Sequence, residues 1–117
     1  ILIVDDEPNI VMTLEYTFKK SNYEVFIARD GQEALDILKT NYPDVIILDI
    51  MMPMVDGFAT LEQIRKDDNL QHTKVMFLSA KNKESDIEKG LALGADAYMT
   101  KPFSIKKVVE KVEELMG

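Results

Sequence analysis

The sequence contains no cysteine, and that absence excludes two kinds of site. Without thiols the chain can form neither a disulfide framework nor a thiolate metal centre, which agrees with a reducing compartment. Long hydrophobic runs are missing too. No stretch approaches the roughly 18 apolar residues of a membrane-spanning helix, and no basic-then-apolar segment opens the chain as a secretory signal would. These absences predict a soluble, cytoplasmic protein with no membrane partner.

The chain is also poor in positive charge. It has 14 Lys and Arg residues against 21 Asp and Glu residues, which gives a formal net charge of -7. A protein that binds the phosphates of nucleic acid needs a basic face, so we expect no direct contact with nucleic acid. Histidine is nearly absent as well. His72 is the single one and lies in a polar stretch, so we assign it no catalytic role.

The length of 117 residues suits one compact domain with a single core. The sequence contains no repeat, linker or low-complexity stretch, so we assign residues 1–117 to one domain. Ile1 already lies inside a strand-like run, which leads us to expect that the natural chain begins earlier. Gly117 need not be a natural end either.

Five short apolar runs alternate with segments of helical periodicity. The runs cover residues 1 to 4, 25 to 28, 45 to 48, 75 to 78 and 95 to 99. Runs of this length, rich in branched residues, are typical of strands in a parallel sheet that is buried on both faces. Their alternation with helices predicts a single doubly wound (βα)5 domain of the α/β class.

Capping residues mark where the helices should begin. Pro8 suits the first turn of the first helix, and Asp30, Asp56 and Ser104 precede the second, third and fifth. We expect the second helix to continue as far as Pro43. The fourth helix is the weakest, because Gly90 lies inside it and only Ile87 and Leu91 offer it an apolar face.

Acidic side chains follow two of the predicted strands. Asp5 and Asp6 come after the first strand and Asp49 after the third. In open α/β sheets the carboxyl ends of the strands form the ligand-binding edge. If these two strands are neighbours, the three carboxylates converge, and two unit charges about 4 Å apart repel by about 4 kcal/mol at an effective dielectric of 20. The cluster therefore suits a hard cation such as Mg²⁺, although any one loop aspartate is more often a solvated cap.

Two further polar residues follow predicted strands at the same edge. Lys101 comes after the fifth strand, where its ammonium could offset the acidic charge and pair with a phosphoryl oxygen. We expect a cis bond between Lys101 and Pro102. Ser79 ends the fourth strand and could be a site hydroxyl or a turn cap. An aromatic residue in the last strand, such as Tyr98, is more often part of the core than a switch. We also expect the seven methionines to fill the core.

The combination of these residues resembles the receiver domain of bacterial two-component response regulators. The resemblance covers nearly the whole chain and rests on Asp5-Asp6, Asp49, Met52-Pro53 with Gly57, Ser79-Ala80 and Lys101-Pro102-Phe103. Each motif is weak alone, but the set at these separations is highly specific. The resemblance implies a flavodoxin-like fold with a five-stranded parallel sheet in the order 2-1-3-4-5.

The resemblance also implies a phosphorylation site that depends on Mg²⁺. Asp49 would be the phosphoacceptor. Asp5 and Asp6 would hold the metal, Asp6 directly and Asp5 largely through water, with Asp49 and the backbone carbonyl of Met51 as further ligands. These roles come from the family and not from the spacing of the residues.

The remaining site residues would bind the phosphoryl group or respond to it. Lys101 and the hydroxyl of Ser79 would contact it, and Tyr98 occupies the aromatic position that turns inward on activation. The face that changes in receivers consists of the fourth helix, the fifth strand and the fifth helix, which correspond here to residues 83 to 116.

The implied function is a signalling switch and not an enzyme. Its phosphodonor would be a sensor histidine kinase or a phosphotransfer protein, an output domain could follow the segment, and phosphorylation could drive a homodimer. Winged-helix members carry an acid after the Gly-Ala-Asp segment of the dimer face. Here Ala97 follows Gly94-Ala95-Asp96, so one expected interface charge is absent.

Two other functions compete with the switch. One is a Mg²⁺-dependent phosphohydrolase with an aspartyl-phosphate intermediate; such enzymes usually carry an acid two residues after the nucleophile, where this chain has Met51. The other is a degenerate receiver that serves only for docking, yet every expected polar site residue is present.

Overall fold

The structure, a computed structural model, describes all residues from Ile1 to Gly117. Strands and helices alternate along the chain as the apolar runs predict. The strands are β1 (Leu2–Val4), β2 (Phe26–Ala28), β3 (Val45–Leu48), β4 (Lys74–Ser79) and β5 (Ala97–Thr100). The helices are α1 (Pro8–Lys20), α2 (Gly31–Ile37), α3 (Gly57–Lys66), α4 (Glu84–Ala92) and α5 (Ile105–Met116), and a short 3-10 helix (Asp68–Leu70) follows α3.

The five strands form one parallel sheet in the order β2-β1-β3-β4-β5. In the centre of the sheet, Ile3 pairs with Ile47, and at the last pairing Ser79 of β4 lies beside Thr100 of β5. The predicted class and strand order are therefore confirmed. Since all the strands run the same way, their carboxyl ends meet at one edge.

The core consists of two layers, one on each face of the sheet. Alternate side chains of a strand point to opposite faces, so Leu2 joins one layer and Ile3 the other. One layer packs against α1 and α5 through residues such as Phe18 and Val108. The other packs against α2 and α3 through residues such as Leu61. This two-sided burial explains why the strands are apolar runs without alternation.

The predicted helix starts agree with the structure. The carboxylate of Asp30 accepts a hydrogen bond from the amide of Glu33 at 2.8 Å, and Asp56 caps α3 in the same way. The hydroxyl of Ser104 accepts a longer bond at the start of α5, while Pro8 opens α1. Backbone N–H groups that have no partner inside the helix are satisfied in this way.

Three sequence predictions, one about the length of a helix and two about burial, are wrong. Helix α2 ends at Ile37 and not near Pro43, so a loop leads into β3. Leu91 is 47% exposed because α4 approaches the core at Gly90, and the next residue is rotated by about 100° around the helix. Of the seven methionines, Met76 is the one that is fully buried; four are exposed, namely Met12, Met51, Met54 and Met116.

None of the helices combines the length and the apolar character that crossing a bilayer would require. His72 is exposed, as predicted from its polar surroundings.

Candidate functional site

Three carboxylates converge at the carboxyl edge of the sheet. The backbone ladder continues past the strand ends, because the amide of Asp49 donates to the carbonyl of Val4 at 2.9 Å. This bond sets Asp49 beside Asp5. One oxygen from each of Asp5, Asp6 and Asp49 lies within 4.8 Å of the others. The predicted convergence is therefore confirmed, and it follows from β1 and β3 being neighbours.

Lys101 reaches this cluster from the end of β5, the edge strand that β4 separates from β3. Its amide donates to the carbonyl of Ser79 at 2.8 Å, and the bond to Pro102 is cis, as expected. The ammonium lies 3.0 Å from Oδ2 of Asp5 and 3.5 Å from Oδ2 of Asp49. Only 10% of the lysine side chain is exposed, so this cation is part of the site and not a solvated surface charge.

Glu7 is a site residue that the sequence analysis missed. Its Oε1 accepts a hydrogen bond from Nζ of Lys101 at 2.9 Å, the shortest contact that the ammonium makes. Its own amide donates to Oδ1 of Asp5 at 2.9 Å. The signal was available, since Glu7 directly follows the acidic pair, but nothing local shows that its side chain turns toward Lys101.

Burial and repulsion raise the pKa values of two of the carboxyl groups. Desolvation raises the pKa of Asp49 above its ordinary value, repulsion from Asp5 adds to this, and Lys101 partly opposes it. Desolvation also raises the pKa of Asp5, against its bonds to Lys101 and to the Glu7 amide. Burial lowers the pKa of Lys101, but its bonds to Glu7 and Asp5 outweigh this and raise it. A cation at the cluster would relieve the repulsion.

One oxygen of Asp49 remains open for chemistry. Oδ1 accepts a hydrogen bond from the amide of Ile50 at 2.8 Å, whereas Oδ2 has only the longer contact to Lys101. The side chain as a whole is 4% exposed. A carboxylate oxygen of this kind is a nucleophile with a defined direction of approach.

The loop after Asp49 is held by Gly57. The amide of Gly57 donates to the carbonyl of Ile50 at 2.9 Å, which folds the loop of residues 51–56 back on itself. A Cβ at Gly57 would collide with the carbonyl oxygen of Asp49 and lie 2.7 Å from Cα of Ile50. Only glycine permits this approach. Met51 lies in this loop with its side chain exposed, and the metal-binding role of its carbonyl stays a prediction.

Ser79 and Tyr98 are linked through the backbone of Lys81. The buried hydroxyl of Ser79 accepts a hydrogen bond from the amide of Lys81 at 3.2 Å. The phenol of Tyr98 donates to the carbonyl of the same residue at 2.7 Å. Desolvation raises the pKa of Tyr98, with a contribution from Asp86, so the phenol stays protonated and able to donate. Ser79 thus caps a turn and also lies at the site edge.

The donor set fits a hard divalent cation. Three carboxylate oxygens within 4.8 Å, two of them on buried residues, form an open cluster. Such a cluster leaves room for water and phosphate oxygens, which Mg²⁺ prefers to a closed cage of protein ligands.

Comparison with known proteins agrees with this geometry. Residues 1–113 match the family described as the response regulator receiver domain. The chain is 44% identical, over 99% of its length, to the alkaline phosphatase synthesis transcriptional regulatory protein PhoP of Bacillus subtilis. It spans about half of that relative, 48% of its length.

Solved structures show the same similarity. The receiver domain of a Francisella response regulator has 37% sequence identity and a TM-score of 0.91, with 98% of this chain and 93% of that chain covered. The receiver domain of a sensor histidine kinase from Pseudomonas aeruginosa has 26% identity and a TM-score of 0.90, with 99% and 95% covered. That structure has a magnesium ion coordinated in its active-site cleft.

A parallel sheet with this strand order, with acidic residues and a lysine at its carboxyl edge, is the arrangement of a receiver domain. The chain belongs to the receiver domain family of response regulators, whose members are phosphorylation-dependent switches of two-component signalling and partner with histidine kinases.

Proposed function

We propose that Asp49 is the phosphoacceptor of this receiver, and that a sensor histidine kinase or a phosphotransfer protein donates the phosphoryl group. One observation carries the proposal: Oδ2 of Asp49 accepts no hydrogen bond and lies 3.5 Å from the Lys101 ammonium, beside the carboxylates of Asp5 and Asp6. A nucleophile, a fixed cation and a metal-binding cluster are the parts that phosphoryl transfer requires.

The transfer would exchange one bond to phosphorus for another. Oδ2 of Asp49 attacks the phosphorus in line, and an O–P bond forms as the P–N bond of the phosphohistidine breaks. The electron pair of that bond stays on the imidazole nitrogen of the donor. Lys101 would donate to an oxygen of the transferring group, where a charge-assisted hydrogen bond is strongest.

Asp5, Asp6, Asp49 and the backbone carbonyl of Met51 are the residues that would hold Mg²⁺. The ion would supply neutralisation of the charge on the transferring phosphoryl group. Burial raises the pKa values of Asp5 and Asp49, and repulsion from Asp5 adds to the rise at Asp49, so a bound cation would stabilise the charged form of both groups.

The backbone of Lys81 would transmit the effect of phosphorylation from Ser79 to Tyr98. The Ser79 hydroxyl accepts from the Lys81 amide and can donate its own hydrogen to a phosphoryl oxygen on Asp49. A shift of Ser79 toward that oxygen would move Lys81, whose carbonyl holds the Tyr98 phenol. Ser79 and Tyr98 would therefore act as the switch pair. The face formed by α4, β5 and α5 would respond, which is a local charge event with a wider effect.

We further propose the setting of this switch. Residues 1–117 would form one receiver domain that acts stoichiometrically, without turnover of substrates, in the cytoplasm. By analogy with the relative in Bacillus subtilis, the whole protein would control transcription through a separate output domain. Phosphorylation could assemble a homodimer through the α4-β5-α5 face, although Ala97 lacks the acidic side chain common there.

Intact mass spectrometry tests the phosphoacceptor. The domain is incubated with Mg²⁺ and a small acyl phosphate, and we expect one added phosphoryl group, which is absent from an Asp49→Ala variant. An exposed aspartate elsewhere provides a matched control, and Asp68→Ala should be labelled like the wild type. An adduct that persists in Asp49→Ala, or no adduct on the wild type, would refute the assignment.

Beryllofluoride gives a second test that needs no covalent step. With Mg²⁺ it should bind the folded domain alone and raise the melting temperature. No shift at millimolar concentrations would count against the site.

A further inference from the structure

The Lys101 ammonium has three hydrogens to donate, and they are not directed mainly at Asp49. Two hydrogen bonds go to Oδ2 of Asp5 and Oε1 of Glu7, at 3.0 and 2.9 Å. Asp49 is farther away at 3.5 Å and receives no hydrogen bond from this group. Two of the three hydrogens of the cation that should meet a phosphoryl group on Asp49 are therefore already engaged, neither of them by Asp49.

Glu7 differs from the other two carboxylates in its exposure. Its side chain is 57% exposed, against 4% for Asp5 and 4% for Asp49. It lies outside the cluster whose oxygens could share a metal ion. It also occupies the N-cap position of α1 without using its side chain as a cap. The bond from Lys101 is the single hydrogen bond that its carboxylate accepts from a side chain.

The position of Glu7 is nevertheless fixed. Its amide bond to Asp5 holds the backbone, and Pro8 follows it at the first position of α1, so little freedom remains except in the side chain. A carboxylate on a fixed backbone at the rim can hold an ammonium and can also release it to water. Asp5 cannot do the second, because it is buried.

We propose that Glu7 is a positioning residue that draws the Lys101 ammonium toward the rim, away from Asp49, and so weakens binding of a phosphoryl group. This inference rests on the proposed role of Asp49 and deepens it. A phosphoryl group on Asp49 would draw the Lys101 ammonium away from Glu7, and the Glu7 carboxylate would then be solvated. Glu7 would thus limit phosphorylation by small donors.

Beryllofluoride affinity in the presence of Mg²⁺ provides the main test. Glu7→Gln keeps the shape of the side chain but removes its charge, so the ion pair with Lys101 is lost while a hydrogen bond remains possible. Because an exposed ion pair is worth at most about 1 kcal/mol, we expect the apparent Kd to fall by up to about fivefold. The rate of labelling by a small acyl phosphate should rise by a similar factor. An unchanged or weaker affinity would overturn the proposal.

Two further variants separate direct contact from general charge. Glu15→Gln removes the same charge from α1, where Glu15 pairs with Lys19 at the helix surface, and should leave the affinity unchanged. Glu7→Asp keeps the charge but is one methylene too short to reach Lys101, so it should behave like Glu7→Gln. If Glu7→Asp behaves like the wild type, or Glu15→Gln like Glu7→Gln, direct holding of Lys101 is refuted.

A readout without metal or phosphoryl analogue keeps this inference distinct from the proposed function. The ammonium signal of Lys101 in ¹H–¹⁵N spectra should shift in Glu7→Gln and stay in place in Glu15→Gln. No shift in Glu7→Gln would overturn the contact itself. If the shift occurs but the wild type binds no beryllofluoride, the proposed role of Asp49 fails, and with it the inferred effect on phosphoryl binding, while the Glu7 contact stands.

Discussion

Neutralising Asp49 should stabilise the domain. In Asp49→Asn the side-chain oxygen can still accept the hydrogen bond from the Ile50 amide, so the change is mainly one of charge. The wild-type carboxylate is buried and close to two others, and its raised pKa shows that the folded protein disfavours the charged form. Removing that charge therefore removes an unfavourable interaction from the folded state.

The size of the effect follows from the distances. At the 4.8 Å limit that spans the cluster, each like-charge pair repels by about 3.5 kcal/mol at an effective dielectric of 20. The exposed Asp6 is screened and contributes less. Against this, the variant loses the attraction between Asp49 and Lys101 at 3.5 Å, which is about 4.7 kcal/mol on the same scale. With the lost desolvation cost included, we expect a net gain of about 1 to 2 kcal/mol, which raises the melting temperature by about 5 °C.

Urea and thermal unfolding in a chelating buffer measure this gain. A raised carboxyl pKa means that the folded state binds the proton more tightly than the unfolded chain does. The protonated Asp49 therefore contributes its full stability to the wild type at low pH, and this contribution is lost as pH rises through the folded pKa. The advantage of Asp49→Asn should therefore be full at neutral pH and shrink on acidification. Mg²⁺ should stabilise the wild type more than the variant.

Asp68→Asn is the control for this experiment, because Asp68 is exposed and lies outside the carboxylate cluster. It should change stability little at any pH. If Asp49→Asn is no more stable than the wild type at neutral pH without metal, or if its advantage grows on acidification, the electrostatic reasoning is wrong.

Other perturbations have equally definite outcomes. Gly57→Ala should lose about 3 kcal/mol of stability through overpacking against Asp49, seen as a lower urea midpoint; a midpoint at or above that of the wild type would show that the loop can yield. Tyr98→Phe should cost about 1 kcal/mol by removing the bond to the Lys81 carbonyl, and unchanged stability in urea would mean that this bond adds nothing. Lys101→Met should lower stability at neutral pH by about 3 kcal/mol, because it leaves buried carboxylates without their cation. That deficit should narrow on acidification in a pH series of melts, and a deficit independent of pH would contradict the charge assignment.

Local sequence patterns determined the fold class and the general location of the site. Apolar runs such as Val45–Leu48 have no alternation, because the strand is buried on both faces, and this can be read without knowing its neighbours. Asp5 and Asp49 each follow such a run, and parallel strands must end at the same edge. Capping at Asp30 is likewise local, since donor and acceptor are three residues apart.

The exposed residues were harder to predict. Leu91 and the methionines were expected in the core because hydrophobic character favours burial, but burial depends on which face of a helix meets the sheet. Close approach of α4 at Gly90, against Phe77 and Tyr98, decided that face. No local pattern encodes such an approach.

The sequence by itself therefore determined a parallel α/β domain with an acidic cluster at one edge, since strand burial and strand direction are properties of short segments. Only the tertiary structure decided how the Lys101 ammonium is shared. It is separated by 96 residues from Asp5 and by 94 from Glu7, and a long flexible side chain among three carboxylates takes the position that packing and charge together favour. The sequence lists the charges, whereas the folded chain sets the distances between them.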